Sequence, residues 1–144
     1  MRKFSFWLWT TVILQFLTGG VHAIGLFVKY APQNDTEKQL VNLLDNYHMP
    51  MGMGFNPTFG NLFLALSSCF TMLNLLACCL NLYLYKKKIP VNVMKGVMGI
   101  NVIMFGITFG IMLAFTFLPP IVCTGLILVS CIGAYFAAGA GNKE

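Results

Sequence analysis

Charged side chains are scarce in this sequence, and long stretches of it have none. The 144 residues include nine Lys and Arg and four Asp and Glu, so that charged residues make up 9% of the chain and hydrophobic residues 58%. Typical soluble domains carry about 25% charged residues, which cover their surfaces. This composition excludes a soluble globular domain.

The residue sets of common enzymes are also missing. Arg2 is the only arginine, and the sequence has no Ser-His-Asp set, no Cys-x-x-Cys pair and no phosphate-binding loop. Membrane enzymes that act on glutathione or lipid phosphates use arginine to hold the anionic group. These absences argue against an enzyme, and the sequence predicts no cofactor.

Four long stretches without Asp, Glu, Lys or Arg contain most of the apolar residues. They are Phe4–Val28, Gly60–Tyr85, Gly96–Leu118 and Ile121–Gly139. Each has roughly 19 to 26 residues, and a helix of about 20 residues crosses a hydrocarbon core about 30 Å thick. We predict an all-α integral membrane protein, a four-transmembrane-helix antiparallel bundle that forms a single membrane domain over residues 1–144.

The basic residues are distributed unevenly between the two ends of these predicted spans. Seven of the nine stand at the same ends: Arg2, Lys3, Lys86, Lys87, Lys88, Lys95 and Lys143. The connection 29–59 has two lysines against three carboxylates. By the positive-inside rule, the N and C termini are cytoplasmic and the 29–59 loop is outside. The basic charge therefore predicts contact with the lipid bilayer and no binding of nucleic acid.

The first stretch has a second interpretation. A basic start, an apolar run and the segment Val21-His22-Ala23 resemble a secretory signal cleaved after Ala23, which would leave three spans. The apolar run continues to Val28, however, and is longer than a typical signal core. We therefore expect the first helix to be retained, with cleavage of residues 1–23 as the alternative.

The outer loop has the pattern of a short amphipathic helix over residues 36–47. Asp35 or Thr36 can cap this helix, and Thr36 with Gln39 has the capping-box spacing. Apolar residues then recur at helical spacing: Leu40, Val41, Leu43, Leu44 and Tyr47. We expect this helix to lie on the outer leaflet or over the mouth of the bundle.

Polar residues inside the predicted spans are the candidate functional positions, because each is costly in hydrocarbon unless it meets a partner or water. They form stripes on the first three spans, and the principal members are Gln15, Thr18, His22, Asn74, Asn81 and Asn101. Two alternatives follow, a polar interior that packs the helices or a ligand site. The leading hypothesis is a non-enzymatic structural or accessory membrane protein that binds a small lipophilic ligand or a membrane protein partner through these faces.

Small residues on the third span suggest close helix contacts. Gly106 and Gly110 form a small-xxx-small motif, which lets helix backbones approach closely. The motif fits packing within the bundle and also a homo-oligomer.

The segment before the second span offers a different function. His48, Met49, Met51 and Met53 supply one imidazole and three thioethers, a soft ligand set that suits Cu(I). The alternative functional hypothesis is therefore copper binding or handling by this loop. The competing interpretation is an ordinary apolar loop that re-enters the membrane. The segment Asn56-Pro57-Thr58 is expected to cap the second span, with Asn56 held extended by Pro57.

Three short motifs resemble a family of small, uncharacterised four-helix inner-membrane proteins of bacteria. They are Gly19-Gly20-x-His22, Thr58-Phe59-Gly60-Asn61-Leu62-Phe63 and Phe117-Leu118-Pro119-Pro120. In that family the helix-one histidine and the loop before helix two recur, which correspond here to His22 and Thr58. Asn61 departs from the more acidic or aromatic residue that is usual there. The resemblance implies a four-helix fold in the bacterial inner (cytoplasmic) membrane, and it implies no activity.

Overall fold

A computed structural model of the chain describes residues 2–28 and 30–140 and is all-helical there. Its five helices are α1 (Arg2–Gly25), α2 (Asp35–Asn46), α3 (Phe59–Lys86), α4 (Val91–Phe115) and α5 (Leu118–Ala140). Within these residues no β-strand forms, although one β-bridge joins His48 to Thr58. The prediction of an all-α chain is confirmed. Lys29 and Lys143, used in the charge argument, lie outside the described residues.

Helices α1, α3, α4 and α5 are long and apolar enough to cross a membrane, as predicted for four spans. The start of α4 differs from the prediction, because the helix begins at Val91 rather than at Gly96. Lys95 therefore lies inside α4, where its ammonium stands 5.1 Å from the centre of the Tyr135 ring. A lysine near the end of an apolar helix need not end it, since its long side chain can keep the charge at the interface.

The break between the last two long helices is at Thr116 and Phe117, and not at the proline pair where the sequence predicted it. Pro119 and Pro120 lie in the first turn of α5, which begins at Leu118. Proline fits there because the first N–H groups of a helix have no partner within the helix. The missing proline N–H groups therefore cost no helical hydrogen bond.

Helix α2 confirms the predicted helix of the outer loop, but its cap is different. Its first turn is closed by Asn34, whose side-chain oxygen accepts from the N–H of Glu37 (2.9 Å) and whose amide donates to the Glu37 carboxylate (2.8 Å). The capping box is thus Asn34 with Glu37, and the expected pair Thr36 and Gln39 is wrong. Asparagine is among the strongest N-cap residues, and glutamate at the third helical position completes the reciprocal pair.

The Glu37 carboxylate also anchors the segment that precedes α2. It accepts hydrogen bonds from the backbone N–H of Gln33 and from the Tyr30 hydroxyl, both at 2.7 Å. The Gln33 hydrogen bond first, and then those of Tyr30 and Asn34, lower the pKa of Glu37. The carboxylate therefore holds the start of α2 in its ionised form.

The described chain divides into two compact units, and α1 and α3 each contribute to both. The first unit comprises residues 2–19 and 73–140, and the second comprises 20–28 and 30–72. The core of the first unit is formed by buried residues of α1, α4 and α5: Phe4, Leu8, Met94, Met98, Ala134 and Ala138. In the second unit α2 approaches α3 closely, since a Cβ added to Gly60 would lie 3.1 Å from the Leu44 carbonyl oxygen.

Candidate functional site

Three side-chain amides meet inside the first unit, and we call Gln15, Asn81 and Asn101 the amide trio. Asn81 donates to the Gln15 oxygen at 3.1 Å and to the Asn101 oxygen at 3.5 Å. Asn101 donates to the Asn81 oxygen at 3.3 Å, and Gln15 donates to the Asn101 oxygen at 3.4 Å. The trio therefore links α1, α3 and α4 through side chains from all three helices.

The amide groups of the trio are hydrogen-bonded mainly to one another. Each of its three oxygens accepts at least one hydrogen bond from another member, and the remaining Asn101 hydrogen goes to the Val97 carbonyl at 2.9 Å. Gln15 and Asn81 are fully buried. Buried polar groups cost free energy unless they are paired, and a closed network specifies how its helices fit together. The geometry favours the packing interpretation for these three residues.

A second polar contact joins α1 to α5. The buried Thr11 hydroxyl donates to Ser130 Oγ at 3.0 Å, and the Ser130 hydroxyl donates to the carbonyl of Ile127 at 2.7 Å. Thr11 lies four residues before Gln15, on the polar stripe that the sequence predicts for the first span, whereas Ser130 is not among the predicted positions. The same desolvation argument would have found it, because Ser130 is a polar residue in the middle of a predicted span.

The other predicted polar positions divide between the two units. In the first unit Thr18 is half-buried and Asn74 is buried, and a Cβ added to Gly19 would lie 3.3 Å from the Cβ of Asn74. His22 lies in the second unit. Of the six predicted residues, Gln15, Asn81 and Asn101 are joined to one another by hydrogen bonds.

His22 has hydrogen-bonding capacity that its surroundings do not fill. Its ring packs edge-on against Phe70, with centroids 5.0 Å apart, and its Nε2 is buried without a hydrogen-bond partner among the described residues. The hydroxyl of Thr71, on α3 in the same unit, is also buried and unpaired within that part of the chain. Unfilled buried polar atoms are rare and need an explanation such as a bound molecule.

Gly106 and Gly110 make little close contact within the chain. A Cβ added to Gly106 would lie 3.9 Å from Leu128, an ordinary contact distance, and one added to Gly110 would meet nothing within 4 Å. The closest helix approaches use other glycines: the Trp7 ring packs on Gly133, and Phe109 packs on Gly125. The role of Gly106 and Gly110 in a homo-oligomer stays a prediction.

The predicted copper loop folds back on itself, and we call it the methionine hairpin (residues 48–58). Two backbone hydrogen bonds pair its arms, from Met49 to Pro57 and from Met51 to Phe55. At its tip Met53 and Gly54 both have positive φ, 52° and 82°, as in a type I′ turn. The hairpin ends where Thr58 accepts from the N–H of Asn61 at 3.2 Å, so the predicted cap of α3 is confirmed.

The predicted ligands of the methionine hairpin differ in their contacts and exposure. The His48 Nδ1–H donates to the carbonyl of Asn56 at 2.6 Å. That bond fixes the tautomer and leaves the Nε2 lone pair available. Met53, at the tip, is 98% exposed.

Clusters of cysteine, histidine and carboxylate side chains offer no alternative metal site in the described part of the chain. Nowhere in residues 2–28 and 30–140 do three such side chains lie close enough together to hold a metal ion. A copper site in this chain would therefore depend on the methionines.

No protein-family model, curated protein or solved structure matches this chain. The resemblance to bacterial inner-membrane proteins stays a prediction.

Proposed function

We propose that this chain is an integral membrane protein whose four long helices form an antiparallel bundle across the bilayer. The observation that carries the proposal is an inverted distribution of polarity. Gln15, Asn81 and Ser130 are buried, whereas large apolar side chains such as Ile24 and Phe136 are 69% exposed. No more than 33% of the most apolar window of any long helix is buried. Such a surface is unfavourable in water and suits hydrocarbon.

The proposed orientation puts both termini on the cytoplasmic side of a bacterial inner membrane. The acidic residues Asp35, Glu37 and Asp45 belong to the second unit, whereas the described part of the first unit has basic side chains and no carboxylate. This asymmetry supports the positive-inside argument, because basic residues flanking spans are retained on the cytoplasmic side.

Labelling in intact cells tests this orientation. All five native cysteines lie within the long helices and can be replaced by alanine to give a cysteine-free background. A new cysteine at Leu40 should react with a membrane-impermeant maleimide in intact cells, and one at Lys87 should react only after permeabilisation. The reverse pattern would overturn the orientation, and release of the protein by alkaline carbonate would overturn membrane insertion.

The proposed role is that of a non-enzymatic accessory protein that binds a small lipophilic molecule. The unfilled His22 Nε2 and Thr71 hydroxyl support it, since both atoms could hydrogen-bond a polar group of a bound molecule.

Native mass spectrometry of detergent-purified protein, prepared without added metal, tests binding and oligomeric state together. We expect wild-type protein to retain a lipophilic molecule that His22→Leu loses, with both proteins at full length. Equal retention by the two proteins would remove His22 as a contact. A bare wild-type monomer would overturn the ligand proposal, and a retained second subunit would favour a partner instead.

Copper handling by the methionine hairpin is the second candidate. The hydrogen bond from His48 to Asn56 favours it, because it is the kind of outer contact that orients a metal-binding imidazole. Changing Met49, Met51 and Met53 to leucine should abolish Cu(I) binding while preserving helix content, since leucine keeps the apolar volume and removes the thioether. Unaltered Cu(I) affinity in that variant would remove this candidate.

A further inference from the structure

A cavity of about 420 Å³ opens in the first unit where α3 turns into α4. Its apolar lining includes Phe4 and Met94, which are nearly fully buried, and Ile89 and Val91 from the turn and the start of α4. A volume in this range is typical of small-molecule sites, which are mostly apolar with a few polar groups. The question is what chemistry its polar groups would select.

The charged residues of the lining have one sign. Lys86 and Lys88 line the cavity, and no carboxylate does. The described part of the first unit contains no acidic side chain at all, because Asp35, Glu37 and Asp45 belong to the second unit. The two ammonium groups therefore have no ion-pair partner within the described first unit, and an anion is the complementary ligand.

The backbone holds Lys88 in an unusual conformation at this cavity. Lys88 has a φ of 53°, and its N–H bonds to the Tyr85 carbonyl (3.0 Å) while the N–H of Ile89 bonds to the Leu84 carbonyl (3.3 Å). This is the Schellman pattern that ends a helix, and the left-handed position is usually glycine. A lysine is less favourable than a glycine in this backbone conformation, but it places a positive charge beside the cavity.

Two further groups could assist an anion. The first turn of α4 begins after Pro90 without a side-chain cap, so its N–H groups contribute partial positive charge beside Val91. The Tyr85 hydroxyl donates to Ser5 Oγ at 3.2 Å, and both residues line the cavity. The Ser5 hydroxyl hydrogen is then available to donate to an oxygen of a ligand.

We propose that this cavity binds a phosphate-bearing amphiphile, an anionic phospholipid, as a specific site at the cytoplasmic end of the helices. The phosphate would lie beside Lys86 and Lys88, and an acyl chain would lie along Phe4 and Met94. The inference rests on the proposed membrane insertion and goes beyond it, since general attraction to an anionic surface needs no cavity.

The test compares ligands on detergent-purified full-length protein by thermal stability and native mass spectrometry. The probes are phosphatidylglycerol, phosphatidylcholine with the same acyl chains, and soluble glycerol phosphate. We expect phosphatidylglycerol alone to raise the melting temperature and to be retained. An equal effect of phosphatidylcholine would overturn charge selection, and a full effect of glycerol phosphate would overturn the acyl contribution.

Lysine variants distinguish specific binding in the cavity from general electrostatic attraction between basic residues and anionic lipid. Lys87 lies between Lys86 and Lys88 in the sequence but does not line the cavity. Its ammonium instead lies 5.7 Å from the centre of the Tyr83 ring. Combining Lys86→Gln with Lys88→Gln should weaken phosphatidylglycerol binding roughly 25-fold, from about fivefold per lysine. Lys87→Gln should leave binding unchanged. Equal weakening by Lys87→Gln, or no weakening by the double variant, would overturn the proposal.

Lys88→Gly is a variant that tests the contribution of Lys88 to binding without destabilising the fold. Glycine suits the left-handed position, so this variant should unfold no more easily than wild type while phosphatidylglycerol binding weakens about fivefold. Unchanged binding would remove Lys88 from the site. These outcomes are distinct from failure of the proposed function, because a protein can remain in carbonate-washed membranes and still lack a specific lipid site.

Discussion

The amide trio makes a quantitative prediction about the stability of the helices. Asn81→Leu keeps a side chain of similar size but removes the donor to Gln15 (3.1 Å) and both contacts with Asn101 (3.3 and 3.5 Å). Gln15 is fully buried, so the oxygen that accepted from Asn81 cannot turn to water. The substitution therefore removes three contacts and leaves unpaired amide groups behind.

The expected cost follows from what such bonds contribute in membrane proteins. Side-chain hydrogen bonds between membrane helices contribute about 0.6 kcal/mol on average and at most about 1.7. Only the bond to Gln15 is short, and the two contacts with Asn101 are long. We expect Asn81→Leu to lower the free energy of unfolding by about 1 to 3 kcal/mol, with Gln15→Leu costing a similar amount.

Reversible unfolding in mixed micelles, followed by circular dichroism, measures the two single variants and the double variant. The coupling energy between Gln15 and Asn81 should be about 0.5 to 1.7 kcal/mol, since the second substitution removes a bond already broken. Asn61→Leu is the matched control, because Asn61 is exposed on the same helix. A coupling energy near zero, or an equal loss in the control, would refute the stabilising role of the trio.

Three further predictions concern packing, unfilled polar groups and pH. Gly133→Ala should lower the free energy of unfolding by about 1 to 3 kcal/mol because its new Cβ overlaps an indole ring, whereas Gly110→Ala, with open space around it, should not; equal effects in unfolding assays would contradict this. In protein freed of bound lipophilic molecules, Thr71→Val should raise the melting temperature by removing an unpaired buried hydroxyl, and Thr11→Val should lower it by breaking a hydrogen bond. The lowered pKa of Glu37 stabilises the start of α2 above about pH 4.3, the ordinary value, and this contribution disappears as pH falls through the folded pKa; the hydrogen-exchange protection factors of α2 amides should then fall in wild type and not in Glu37→Gln.

The long helices were predictable because their signal is local. A run of apolar residues long enough to cross hydrocarbon can satisfy its backbone only within its own helix, so composition along the chain is sufficient to find it. Their ends were less predictable, since the sequence places the start of the third span at Gly96, after Lys95, and the break that follows this span at Pro119-Pro120, whereas α4 is Val91–Phe115 and α5 begins at Leu118. Helix ends depend on hydrogen bonds that proline and lysine can both accommodate.

The sequence at the start of α2 also fits two different capping pairs. Asn34 with Glu37 and Thr36 with Gln39 have the same spacing, and both fit the capping-box pattern or its asparagine variant. The observed choice follows from Gln33 and Tyr30, which add two hydrogen bonds to the Glu37 carboxylate. Such cooperation between neighbouring groups is visible only once the chain is folded.

The sequence alone determined which faces of the helices are polar, because a 3.6-residue period assigns every side chain to a face. Only the tertiary structure decided that Gln15 meets Asn81 and Asn101 while the buried Nε2 of His22 has no hydrogen-bond partner in the described chain. It also brought Lys86 and Lys88 beside an apolar cavity. The physical reason is that the rotation and depth of one helix against another are fixed by side-chain shape, such as the Trp7 ring on Gly133, and this shape is not encoded in periodicity.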